Sequence, residues 1–375
     1  MISVPEMPLY WRFKDQPGTA PGEPPARAPF VFDYDPGLDL IIEQRSPALT
    51  RLLTDIYSRD ANVGFLQDGH SSVQNYGADF WRFMIELLKD VRVRTIAEVG
   101  CGGCVLLERL KNEGFEVVGV DPSPVAAKAG RQKGIAIVPE FLTRTSLAHR
   151  PDMIFQVDVL EHIEDPVAFL KLEADCVADD GLIVVNVPDS TRSIDRGDIS
   201  MALHQHVNMF DGISLPNVFH AAGLEIVKLE RAKYGSGLYC VGRKSPTPHP
   251  LKVDGARWRR FSAQASRAIE VFQAEVTAAR RAGGTIGFFM PQRAFPYLGT
   301  MNWFDGFRVF DNMNFWHRRY LDGLDIAIEN QQDLVKAPVD HLFVMSLTFG
   351  DEVASAVRRD VPAMKTVTLQ QILSQ

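Results

Sequence analysis

The chain has 375 residues, 46% of them hydrophobic and 23% charged, which is enough for two globular units that each bury a core. Forty basic against 47 acidic residues, a formal net charge of -7, carry no electrostatic footprint for nucleic acid, and four cysteines make no disulfide framework. No stretch reaches the ~18 apolar residues of a membrane span and the N-terminus has no basic segment followed by an apolar one, so the expectation is a soluble, cytoplasmic protein without membrane or nucleic-acid partners.

Residues 1–40 hold eight prolines, and an extended, irregular arm is expected there because proline fixes φ and removes a donor. Helical periodicity starts at Ser46, read as an N-cap, with Pro47 as first helical residue. A second amphipathic helix is expected over 76–89, with Phe80, Phe83, Met84 and Leu87 at core spacing. The segment between them, NVGFLQDGHSS with His70, reads as a lid loop. The first block, 1–75, is therefore a proline-rich arm and helical lid region.

From Arg94 the pattern alternates strand and helix. TIAEVG, FEVVGVD, IAIV, MIFQVDV and LIVVNVP predict a parallel sheet covered on both faces, and EIVKLERA and GLYCVGR bring it to seven strands within 76–245. KSPTPHPLKVDG (244–255), with three prolines, reads as a linker. A helix over 256–282 follows, opened by a basic cluster of Arg257, Arg259 and Arg260 that reads as a solvated face. TIGFFM, FRVFD, DIAIE, HLFVMS and KTVTL then predict a second, smaller α/β domain over 256–375. Its aromatic-rich stretch 288–320 reads as core plus interface, and an oligomer is compatible with it.

The chemistry is concentrated at two strand ends. Glu98-x-Gly100-x-Gly102 sits at a strand-to-helix turn, where glycines permit positive φ and let a ligand approach the backbone. Asp121 ends the next strand, where a carboxylate can accept both hydroxyls of a ribose. A nicotinamide fingerprint would need a glycine at 105, which is Val105. Cys101 and Cys104 form a C-x-x-C but read as small residues filling the loop; no Cys/His set has closed tetrahedral spacing, so no metal is expected.

This segment resembles the E/D-x-G-x-G signature of class I methyltransferases, and PDMIFQVDVLEHIEDPVAFL is similar to that superfamily's fourth-strand block. The resemblance implies a seven-stranded Rossmann-like sheet that binds S-adenosylmethionine (SAM). Glu98, Gly100 and Gly102 would form the cofactor loop and Asp121 would hold the ribose. Gln156, Val157 and Asp158 would face the cofactor. Glu161 and His162 are read as caps of the following helix. The family's third glycine is replaced by Cys104.

The C-terminal part resembles nucleotide-sugar C-methyltransferases. Asp311, Arg319, Tyr320, Leu321 and Gly323 match one block of that family, and Asp340, Phe349, Asp351 and Glu352 match another. The family's glycine-rich turn becomes Phe289-Met290-Pro291-Gln292-Arg293, and its N-terminal zinc module is absent. HQHVNMFD (204–211) is similar to the family's Glu-His-x-x-Tyr-Phe-Ser segment, with His206 on the histidine and neutral Gln205 on the glutamate. The resemblance implies methyl transfer to a sugar or sugar-like small molecule, with a nucleotide sugar as candidate acceptor. His206 would be the general base and His204 the second candidate. O- or N-methyl transfer to a glycan or secondary metabolite, and a SAM-binding assembly protein without catalysis, remain open.

Overall fold

The computed structural model describes residues 1–9, 13–18, 27–59, 71–321 and 324–375. The chain divides into two compact units: a central one of Tyr34–Ser190 and Gln205–Gly255, and a C-terminal one of Met1–Asp33, Thr191–His204 and Ala256–Gln375. This differs from the expected blocks 1–75, 76–245 and 256–375. The chain begins in the C-terminal unit, leaves it after Asp33, and returns for Thr191–His204.

The central unit is built on a seven-stranded sheet. Its strands are β1 (Thr95–Val99), β2 (Glu116–Val120), β3 (Ala136–Val138), β4 (Met153–Val157), β5 (Leu182–Pro188), β6 (Leu224–Arg231) and β7 (Gly237–Lys244). They lie in the order β3-β2-β1-β4-β5-β7-β6. The first five run parallel, and β7 pairs antiparallel with both β5 and β6. The central strands are apolar without alternation because both faces are covered, and β5 is buried from Leu182 to Val187.

The helices start where local chemistry caps them. Helix α1 (Pro47–Arg59) opens with the Leu49 N–H donating to Ser46 Oγ at 3.2 Å, as the N-cap reading expected. Helix α2 (Ser71–Asp90) begins five residues before the expected start, and Phe80, Phe83, Met84 and Leu87 are buried against the sheet cluster. The proposed lid falls largely on 60–70, outside the described residues. Helix α3 (Val105–Asn112) follows the glycine loop, and α4 (Pro124–Lys133) starts on a Ser123 cap with proline first and ends at left-handed Gly134. Helix α5 (Pro166–Cys176) starts on Asp165, whose Oδ1 accepts from Ala168 N at 2.8 Å, so Asp165 and not Glu161 or His162 is the cap. Helix α6 (Ser214–Ala221) precedes β6. The linker 245–254 has no regular element, yet it is tied down. Asn217 exchanges hydrogen bonds with the Lys252 backbone at 2.7 and 2.8 Å, and Asp39 Oδ2 accepts from Asp254 N.

The C-terminal unit carries five parallel strands, β8 (Ile286–Phe289), β9 (Arg308–Phe310), β10 (Ile328–Glu329), β11 (His341–Val344) and β12 (Lys365–Thr368), in the order β10-β9-β8-β11-β12. The long helix α7 (Arg257–Arg281) brings Phe272 onto Phe288 and Phe343, so most of the aromatic-rich stretch is core. Arg257 is buried too, so only Arg259 and Arg260 of the basic cluster face solvent.

The proline-rich arm is more regular than expected. Ile2–Pro8 pairs antiparallel with Arg27–Asp35, with a register shift between Val4 and Met7. That shift places Pro5 where no ladder donor is needed. Helix α8 (Pro291–Gly299) ends with Gly299 against this strand: a Cβ there would sit 2.1 Å from the Glu6 carbonyl oxygen. Only glycine permits the approach, which helps to explain why the arm belongs to this unit.

One buried pair in the central unit ties stability to pH. Gln156 Nε2 donates to both oxygens of Glu173, each at 3.0 Å, and both residues are fully buried. Burial pushes the Glu173 carboxyl up to about 8. Unfolded, the group ionises near about pH 4.3. Between those values the folded state holds the extra proton, so the contribution of Glu173 to stability falls as pH rises. Glu173→Gln removes this titration. The Tm of the variant relative to the parent should climb from about pH 5 to about pH 8; a difference that stays flat would mean that Glu173 is ionised in the fold.

Candidate functional site

The first part of the site is the turn between β1 and α3. Gly100 N donates to the Val120 carbonyl at 2.8 Å with φ +74°, and a Cβ there would meet Val159 Cγ2 at 2.5 Å. Gly102 is also left-handed, and its N–H donates to Asp121 Oδ2 at 2.8 Å; Asp121 Oδ1 accepts from Ser123 N at 2.8 Å. Asp121 is therefore locked onto the loop, and each of its oxygens keeps one further lone pair to accept a hydroxyl. Cys104, where a third glycine would stand, is left-handed at φ 57° and forms the N-cap of α3 without a side-chain capping hydrogen bond. Such a conformation costs a non-glycine residue on the order of 1 kcal/mol. Its fully buried thiol fills the space above Ala126, as the packing reading of the C-x-x-C expected. The Cys101 thiol is pushed up, first by its hydrogen bond to Cys104 and then by burial. Glu98 is buried, and burial first, then Cys104 and Asp121, push its carboxyl well above the usual range, so it is held neutral behind the loop. A glycine turn, an uncapped helix start and an anchored carboxylate at the end of β2 together fit SAM.

The second part is the end of β4. Gln156 is fully buried with Nε2 turned to Glu173, and Val157 joins the apolar cluster against α2. Asp158 is left-handed at φ 54°, and its Oδ1 accepts from Tyr76 OH at 2.8 Å. Asn186 Nδ2 in turn donates to the Tyr76 oxygen at 2.7 Å. Burial pushes the Asp158 carboxyl up to about 6, and burial followed by Asp158 pushes the Tyr76 phenol well above its ordinary value. Tyr76 and Asn186 are new to the site. The lone polar residue inside LIVVNVP is the signal that points to Asn186, whereas Tyr76 lies on the same face as Phe80 and reads as core.

The third part comes from pairing the segment after His204 with the turn after β4. Val207 N donates to the Glu161 carbonyl at 2.7 Å, and Glu43 N donates to the Val207 carbonyl at 2.8 Å. Asn208 Nδ2 reaches the Leu160 and Ile163 carbonyls, and His162 Nδ1 lies 2.6 Å from the Gln205 carbonyl. This pairing sets His206 Nε2 at 3.9 Å and His162 Nε2 at 3.7 Å from Glu161 Oε1, with the two imidazoles edge to face. Glu161 is 1% exposed, and neither carboxylate oxygen has a hydrogen-bond partner on another residue. Burial first, then Asp158, push its carboxyl well above the usual range; burial pushes His162 down to about 4. Among the described residues, these three are the group whose donor atoms lie close enough to share a metal ion. His204 lies in the C-terminal unit, 1% exposed, with Nε2 at 3.2 Å from the Ala28 carbonyl and its ring against Phe30. It is a packed histidine and does not join the cluster.

In the C-terminal unit the turn after β8 departs from a phosphate cradle in its geometry as well as its sequence. Met290 is left-handed at φ 63°, and Arg293 Nη1 is engaged by the Ser200 carbonyl. Asp311, at the end of β9, is 6% exposed and accepts from Met313 N.

The methyltransferase-domain family model matches residues 75–229. A ubiquinone biosynthesis O-methyltransferase of Azorhizobium caulinodans is 29% identical over 136 residues, 34% of this chain and 51% of that protein. The C-methyltransferase NovU of Streptomyces niveus is 27% identical over 151 residues, 38% of this chain and 35% of that protein. The solved magnesium protoporphyrin IX methyltransferase of Synechocystis PCC 6803, with bound SAM, superposes with a TM-score of 0.41 at 13% identity, covering 54% of this chain and all of that one. The chain spans about half the length of the first of these curated relatives. Among the described residues no helix is long and apolar enough to cross a membrane. Residues 75–229 thus match a methyltransferase-domain model and carry the seven-stranded sheet of the class I methyltransferase fold.

Proposed function

We propose that this chain is a SAM-dependent methyltransferase that acts on a sugar or sugar-like small molecule, with the proton of the acceptor removed at His206. The observation that carries the reading is the pairing of His206 with Glu161 at the carboxyl end of β4. Sequence alone left His206 without an acidic neighbour, since Gln205 is neutral. The fold supplies one from the β4 turn instead.

SAM, when bound, supplies an electrophilic methyl group. The residues of this chain do the rest. The Gly100–Gly102 turn gives access to the backbone, Asp121 accepts ribose hydroxyls, and Tyr76 with Asn186 holds Asp158 at the β4 end. Methyl transfer to a carbon beside a carbonyl needs a proton removed first, and this reading assigns that step to His206. The O-methyltransferase relatives favour a second reading with the same residues, in which the proton comes from a hydroxyl.

Two outcomes test this reading. Asp121→Ala should weaken binding of S-adenosylhomocysteine (SAH), the demethylated cofactor, by about 1.5–3 kcal/mol in calorimetry. Unchanged affinity would mean that the cofactor lies elsewhere. His206→Ala should lower kcat on the true acceptor by about 10²–10⁴-fold and leave SAH affinity intact. Full kcat in that variant would remove His206 from the chemistry.

A further inference from the structure

We propose that Glu161, His162 and His206 bind one divalent transition-metal ion of the zinc type, with an oxygen of the methyl acceptor completing its shell. The use of the ion in catalysis rests on the reading above; its binding does not.

The first support is proximity. The three donor atoms lie within 4.8 Å of one another, with Glu161 Oε1 at 3.7 and 3.9 Å from the two Nε2 atoms. Bonds of ~2.0–2.2 Å to a shared ion place its ligands roughly 3–3.5 Å apart, so side-chain shifts of under about 1 Å close the site. The second support is the state of Glu161, a carboxyl that is 1% exposed with no partner on another residue for either oxygen. A buried carboxyl left in that condition is costly, and a cation is the partner that satisfies both oxygens. The third is orientation. The Gln205 carbonyl accepts from His162 Nδ1, an outer hydrogen bond of the kind that orients metal-binding histidines. The backbone pairing of Val207 with Glu161 holds the two histidines across the same carboxyl.

The surrounding charges agree. Arg45, which acts on His162, is engaged by Glu43 at 2.7 Å, and Asp158 adds negative character next to Glu161. Two imidazoles and one carboxylate suit a zinc-like ion better than magnesium, and three protein ligands leave a position for substrate. An acceptor hydroxyl in that position would be acidified: its O–H bond would break, the proton pass to water, and the electron pair stay on oxygen as the nucleophile. With the ion bound, His206 Nε2 is its ligand, and proton loss to water replaces the direct proton removal of the preceding reading; removing His206 lowers turnover in either case.

The test uses the full chain, stripped with a chelator and titrated with Zn²⁺ by calorimetry, with Co²⁺ as a spectroscopic probe. One ion per chain is expected, together with a higher Tm and visible Co²⁺ bands. Glu161→Gln and His206→Ala should each weaken Zn²⁺ binding by about 100-fold or more and remove those bands, while SAH affinity stays within about twofold. Zn²⁺ affinity unchanged in both variants, or no binding to the parent chain, overturns the site. Full turnover after chelation overturns the use of the ion. Loss of SAH binding in the parent chain would instead count against the methyltransferase reading, which keeps the two failures apart.

Discussion

Asn208 and Val207 fasten one loop to another, and the candidate chemistry depends on that fastening. The Val207 amide and the Asn208 side chain together engage the carbonyls of Leu160, Glu161 and Ile163, while the Gln205 carbonyl accepts a hydrogen bond from His162 Nδ1. A short antiparallel pairing of Asn208–Met209 with Leu40–Glu43 braces the far side. Without these bonds His206 would lie on a loop more than forty residues from Glu161, with nothing to hold it there. With them, two imidazoles converge on one buried carboxyl at the mouth of β4.

The glycine loop follows a different logic. Its left-handed residues are set by local sterics, and Asp121 binds it from outside through the Gly102 amide. The loop and the carboxylate that would hold the ribose are thus one hydrogen-bonded unit. Cys104 shows how far such a loop tolerates substitution. A left-handed cysteine carries backbone strain, and its thiol offsets some of it by filling the core between α3 and α4. Asp158 at the end of β4 is left-handed too.

The C-terminal unit repeats the parallel-sheet plan with different end chemistry. Its β10-β9-β8-β11-β12 order reverses direction at β8, yet the turn after β8 is formed by Met290 and Pro291 in place of glycines. Its aromatic stretch is spent on its own core, with Phe288 packed against Phe272, Phe307 and Phe343. The N-terminal strand and the 191–204 excursion complete this unit, so three separate stretches of sequence fold as one body.

Every strand of these two sheets, and the cap at Ser46, can be read in the sequence, because hydrophobic period and capping chemistry act over a few neighbours. The glycine loop and Asp121 are legible for the same reason: their roles follow from backbone conformations that particular residues favour. What the sequence could not decide was anything set by a side chain's direction across the fold. Gln156 sits at the right strand end but turns inward to Glu173, and His204, two residues from His206, turns into a core against Phe30. Glu161 reads as a helix cap until the structure shows Asp165 in that role and leaves Glu161 buried between two histidines. The proline-rich arm reads as irregular because its partner strand and the cleft at Gly299 lie far away in sequence. Local propensity determined the elements; long-range hydrogen bonds and packing alone decided which polar groups meet.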